Sequence, residues 1–241
     1  MNVNEIVRIV PTLKVNNRKL NERFYIEILG MKPLLEESAF ISLGDQTATE
    51  RLILEEAPSM RTRKVEGLKK LARLLIKVEN PSEIEALLSQ MKPLPRLFKG
   101  NRGYAFEIVS PEEDVILVHA ENDVRDLVPL ETVPEFYSNT SIKYVSQFEV
   151  SMELRLPEGT ESLLDPEGVA PVITFTKGQG PDLAVENNVT WDLTMLKFLV
   201  KNFDLTSLRQ KFEKTGYFVP KSEKFFLGKD TNNIELWFEE A

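Results

Sequence analysis

The chain has 241 residues, of which 42% are hydrophobic and 28% charged, enough apolar material to build cores in two domains of ordinary size. Its 30 basic residues stand against 38 acidic ones, and a net charge of −8 lacks the clustered positive field that nucleic acid or an anionic membrane requires. Cysteine is absent and histidine occurs once, at position 119, which excludes disulfides, thiolate metal sites, cysteine nucleophiles and paired-histidine zinc sites.

The opening stretch MNVNEIVRIVPTLKV has neither the basic start nor the apolar core of an export signal, and no window approaches 18 uncharged apolar residues. Cytoplasmic residence is the expectation. Val7, Ile9, Pro11, Leu13 and Val15 alternate with Arg8, Val10, Thr12 and Lys14, which predicts a strand with one face on a core. Asn16 or Asn17 can cap a following helix in which Leu20, Phe24, Tyr25 and Ile28 recur at helical spacing, with Gly30 as its stop. Strands are predicted at 31–36, 40–43 and 51–55, so the first unit reads β-α-β-β-β. The basic residues Arg61, Arg63, Lys64, Lys69 and Lys70 that follow read as a solvated face.

The second unit repeats the order. A strand over 71–79 runs into Asn80-Pro81-Ser82-Glu83, with a cap, a proline at the first helical position and an acid in the first turn. Ile84, Leu87, Leu88 and Met91 form the apolar stripe, and Pro93 and Pro95 end it. A short stretch near Leu97, a Gly100–Gly103 turn, and strands at 104–109 and 115–120 complete a repeat of about 60 residues. Residues 122–146, acid-rich with Pro129 and Pro134, read as a linker. Beyond it a third unit is degenerate: an alternating strand over 148–156, at most a short helix near 162–164, then a strand at 172–175. The fourth recovers, with a strand over 189–200, a helix capped by Asp204, and strands at 224–227 and 234–238.

Phe24-Tyr25-x-x-x-Leu29-Gly30-Met31-Lys32-Pro33-Leu34, placed after such a strand, resembles the vicinal oxygen chelate superfamily of glyoxalases, extradiol dioxygenases and bleomycin-resistance proteins. Ser110-Pro111-Glu112-Glu113-Asp114 before Val115-Ile116-Leu117-Val118, and Asp230-Thr231-Asn232-Asn233-Ile234-Glu235-Leu236, are similar to the motif that closes its units. Over its whole length the chain also resembles the CppA family, to which a proteinase activity against the third component of complement is ascribed. The resemblance implies an α+β fold of repeated βαβββ units in curved mixed sheets, the second pair degenerate. An N-terminal glyoxalase-like domain is expected over 1–121, a linker over 122–146 and a C-terminal domain over 147–241.

Enzymes of the superfamily hold a metal in a cup with a His or Gln from each first strand and a Glu from each last strand, leaving positions open for substrate oxygens. Those positions fall near Val10, Arg73 and Leu117 in the first half, and near Met195 or Ser151 and at Glu235 in the second. Valine and leucine cannot coordinate, and an arginine repels a cation. His119, two residues past Leu117, shares its face but brings one nitrogen alone. No metal and no cofactor are therefore expected. A proteinase fares little better, since the chain holds no Asp-Thr/Ser-Gly, no His-Glu-x-x-His and no Gly-x-Ser-x-Gly, and any Ser-His-Asp triad must use His119. The expectation is a cup turned into a binding cleft, lined by Val10, Thr12, Arg73, Leu75, Leu117 and His119, with Arg73 either holding an anionic group or pairing with an acid. Its expected partners are a small ligand, the complement protein or a second copy in a homodimer.

Overall fold

A computed structural model of the chain describes residues 4–60, 62–132, 134–137 and 142–241. The first unit comprises strand β1 (Glu5–Val15), helix α1 (Arg18–Glu22), and strands β2 (Lys32–Glu37), β3 (Phe40–Gly44) and β4 (Glu50–Glu56). Asn17 caps α1 by accepting from the Leu20 N–H at 3.0 Å. The helix then widens into a π-turn over Arg23–Ile28, where the Leu29 N–H reaches back to the Phe24 carbonyl. The wider turn corrects the expected stripe. Leu20 points to solvent and Asn21 is buried, while the adjacent Phe24 and Tyr25 both enter the core, packed edge to face at 5.1 Å. Gly30 follows at φ +68°, a left-handed conformation open to glycine, and turns the chain into β2.

In the second unit β5 (Leu71–Val78), α2 (Pro81–Gln90), β6 (Arg96–Gly100), β7 (Gly103–Val109) and β8 (Val115–His119) follow the expected order, with Asn80 capping α2. The first part of the expected linker is docked, because β9 (Val128–Pro129) pairs with β6. Its end is docked too: Val145 is buried, and Glu83 on α2 accepts from the Ser146 N–H at 3.1 Å and its hydroxyl at 3.0 Å. The third unit keeps β10 (Phe148–Pro157) and β11 (Ile173–Gly178), joined through α3 (Pro166–Val169). That helix forms a few residues later than expected because Asp165 caps it and Pro166 starts it. The fourth unit is complete, with β12 (Leu193–Lys201), α4 (Leu205–Lys211), β13 (Tyr217–Phe218), β14 (Phe225–Lys229) and β15 (Glu235–Glu240). In it Phe212 lies so close to Gly228 that a Cβ there would sit 2.7 Å from the ring.

Every complete unit has the strand order first-fourth-third-second, with the last strand parallel to the first. The units do not pair within each half, as expected, but across the halves. Strands β1 and β12 join antiparallel, so units one and four make an eight-stranded sheet. Strands β5 and β10 join in the same way, so units two and three make a seven-stranded sheet. The alternation that makes each first strand amphipathic suits either partner, so nothing local selects between the two pairings. The helices and the apolar strand faces form one shared core, with Leu74, Ile76 and Val78 of β5 in the same cluster as Leu196, Phe198 and Val200 of β12.

The segment between units one and two stitches the sheets together. Asp192, buried just ahead of β12, accepts from the backbone N–H groups of Lys70 (2.6 Å), Leu71 (3.2 Å) and Leu193 (2.8 Å). Arg63 grips Asp182 with two bonds of 2.7 Å. The basic stretch is thus no solvated face throughout: Lys70 is buried, its ammonium on the Val185 carbonyl at 2.7 Å, and Lys69 pairs with Asp114. Arg61 lies outside the described residues. No helix among the described residues is long and apolar enough to cross a membrane.

Candidate functional site

A cleft of about 420 Å³ opens over the seven-stranded sheet, walled on its other side by Val7–Ile9 of β1 and by Arg51 of β4. Strand register sets the order of its floor. His119, Lys77 and Glu149 stand side by side on β8, β5 and β10, and the next row is Leu117, Leu75 and Ser151. In the row beyond, Arg73 opposes Glu153, with 3.8 Å between Nε and Oε2, and Thr174 follows on β11.

Of the six expected lining residues, Leu75 and His119 line this cleft. Leu117 is buried beside Leu75, and Arg73 is turned to its Glu153 partner. Val10 and Thr12 are fully buried on the other sheet, opposite Lys197 and Met195 of β12. One cup holding all six therefore does not form, because β1 and β5 found their partner strands in the opposite half of the chain. Lys77, Glu149 and Thr174 were not singled out in the sequence, and Ser151 was named only as a first-strand metal-ligand position of the second half. The alternation of β5 and β10 puts them on the cup face, but only the pairing of units two and three brings them together.

His119 is 5% exposed, its Nδ1 without a hydrogen-bond partner among the described residues. Burial first, and then the neighbouring Lys77 charge, push its pKa down to about 4 against a hydrogen bond with the Glu121 backbone, so the imidazole is neutral at pH 7. The Lys77 ammonium is held by an amide, Oδ1 of Asn122, at 3.0 Å. Arg8, half-buried at the wall, has no ion-pair partner among the described residues, whereas the Arg51 Nε pairs with Asp45 at 3.1 Å. Most of the acids around the cleft are engaged. Glu121 accepts from the Arg102 N–H at 2.6 Å, Asp123 is gripped by Arg125, which lowers its pKa to about 2, and Glu153 faces Arg73; Glu149 lies exposed at the rim.

The matching row of the eight-stranded sheet runs Ile53, Thr12, Met195, Glu235. It offers one carboxylate. A row away, Lys197 is clamped between Glu50 at 3.2 Å and Glu239 at 3.1 Å. Burial opposes its charge, but the two carboxylates prevail and hold its pKa above the ordinary value. Among the described residues no three His, Asp or Glu side chains gather closely enough to hold a metal ion. In the cleft itself the two candidate donors, His119 and Glu149, are separated by an ammonium.

Units of this strand order, joined through their first strands into cupped sheets, define the glyoxalase and dioxygenase fold of the vicinal oxygen chelate type. A candidate dioxygenase from Bacillus subtilis shares it at 11% identity, with a TM-score of 0.57 over 100% of this chain and 86% of that one. Residues 8–130 match the CppA N-terminal domain and residues 145–238 the CppA C-terminal domain. The crystal structure of the cppA protein from Streptococcus pneumoniae is 65% identical, with a TM-score of 0.97 over 99% of this chain and 100% of that one. The chain belongs to the CppA family. A search of the curated proteins gave no match.

Proposed function

We propose that the protein is a metal-independent binder that takes a small anionic molecule into the cleft of the seven-stranded sheet. The observation that carries the reading is Lys77 at the centre of the cup, its ammonium bonded to an amide rather than a carboxylate, between a neutral imidazole and Glu149 at the exposed rim. An ammonium in that place repels a divalent cation and attracts a carboxylate or phosphate. Arg8 adds a second donor from the wall, and Leu75 supplies an apolar floor. The complement-directed proteinase that the family resemblance implies would need His119 to activate a nucleophile. Among the described residues its buried Nδ1 meets neither a hydroxyl nor a carboxylate, so the purified chain is expected to leave the third component of complement intact.

The test is a thermal-shift panel of small carboxylates, phosphates and neutral analogues on the untagged protein, together with elemental analysis. Anions are expected to raise Tm, and Lys77→Met to abolish the rise without lowering the Tm of the free protein. A stoichiometric divalent ion, a panel in which no compound acts, or complement cleavage lost on His119→Ala would overturn the reading.

A further inference from the structure

Each sheet has two edges, and three of these four edges are guarded. Strands β9 and β13 are two residues long. Strand β2 carries Pro33, a register shift between Pro33 and Leu35, and the charges Glu36 and Glu37. These are the devices by which proteins keep an open edge from pairing. Strand β11 has none of them. It runs six residues, Ile173–Gly178, in unbroken register with β10 and without proline. Its one charge, Lys177, is folded back onto the Thr160 carbonyl and Glu161 of its own loop.

Internal comparison shows what the edge lacks. In the three complete units the last strand is flanked on its outer side by an antiparallel strand: β3 beside β4, β7 beside β8, β14 beside β15. In unit three β11 takes the last-strand place, parallel to β10, and its outer side is open. The Met152 N–H donates to the Val172 carbonyl, which sets the ladder. Val172, Thr174 and Thr176 turn their backbone groups to β10, while Ile173, Phe175 and Lys177 turn theirs to the open edge. There they have no backbone partner among the described residues.

We propose that a second copy of this chain fills the vacant place, β11 pairing antiparallel with β11 of the second copy about a two-fold axis at Phe175. The strand is self-complementary in that register. Phe175 meets its own copy and the exposed Thr174 and Thr176 face each other on the cleft side, both favourable cross-strand pairs, while Ile173 meets Lys177 and no like charges are opposed. The orientation repeats the antiparallel neighbour of the other three units. Because Thr174 lines the cleft, the strand from the second copy also extends the cleft wall.

The test is the mass of the full chain in solution over roughly a hundredfold range of concentration. A dimer is expected. Thr174→Glu combined with Thr176→Glu sets acids against acids at two exposed positions and should weaken it at least about tenfold. Thr174→Lys combined with Thr176→Glu sets opposite charges together and should restore it. Circular dichroism confirms that each variant is folded, and slowed amide exchange at Phe175 and Lys177 in the dimer places the contact. A monomer at every concentration, or a dimer that the paired acids leave intact, would overturn the proposal.

Discussion

The two cups are both built outward from a pair of antiparallel first strands and carry a lysine on those middle strands, yet the lysines have opposite surroundings. Lys197 in the eight-stranded sheet is closed between Glu50 and Glu239, and the neighbouring positions are filled by Val10, Met195 and Trp237, the last stacked on Phe225 at 3.8 Å. That sheet has spent its charge on itself. Lys77 in the seven-stranded sheet bonds an amide and no carboxylate among the described residues, between a neutral imidazole and the exposed Glu149, and it faces an open volume. The acids that clamp Lys197 stand on β4 and β15, the last strands of their units, whereas the last strand beside Lys77, β8, presents His119; under the proposed function that contrast assigns the ligand to one of two otherwise similar cups.

The most damaging way to disturb this arrangement is to cut the stitch between the sheets. Asp192→Ala removes the acceptor of three buried N–H groups and should cost roughly 4 kcal/mol, read by chemical denaturation. Both cups should loosen together, since one core serves both.

Acid should act next. The His119 pKa of about 4 in the folded chain lies below the unfolded value of about 6.5, so between these pH values the unfolded chain binds the additional proton. Stability from this group is complete above about pH 6.5 and falls by roughly 3 kcal/mol as the pH drops to 4. His119→Leu should flatten that limb of the stability curve; an unchanged slope would mean that the imidazole is already solvated in the fold.

Lys197→Met should cost roughly 1.5 kcal/mol, because it leaves two partly buried glutamates facing each other without their cation. Lys77→Met should change stability by no more than about 0.5 kcal/mol while removing anion binding. Equal stability losses for the two lysine variants would erase the distinction between the filled cup and the open one.

Most of the elements were legible because their signals are local. Asn80-Pro81 starts α2, Asp204 caps α4, and the Phe-Tyr pair with Leu29-Gly30 marks the helix and turn of the first unit. Leu20 misled because a π-turn changes which residues share a helix face, and such a turn depends on packing beneath it. The site was half legible. Leu75 and His119 were placed on the face that lines the cleft because alternation reveals which residues of one strand share a face. Lys77, Glu149 and Thr174 escaped because neighbours on different strands are set by register and partner choice.

From its residues alone the chain settles that its units are β-α-β-β-β repeats with one degenerate, that its family is CppA-like, and that thiolate and paired-histidine chemistry is closed to it. These follow from residue type, caps and periodicity, which act over a few positions. Only the tertiary structure decides that unit one joins unit four and unit two joins unit three, and with it which lysine stands in an open cleft. Backbone ladders are blind to which amphipathic strand supplies them, so that choice rests with the shared core and the buried Asp192 stitch between distant segments.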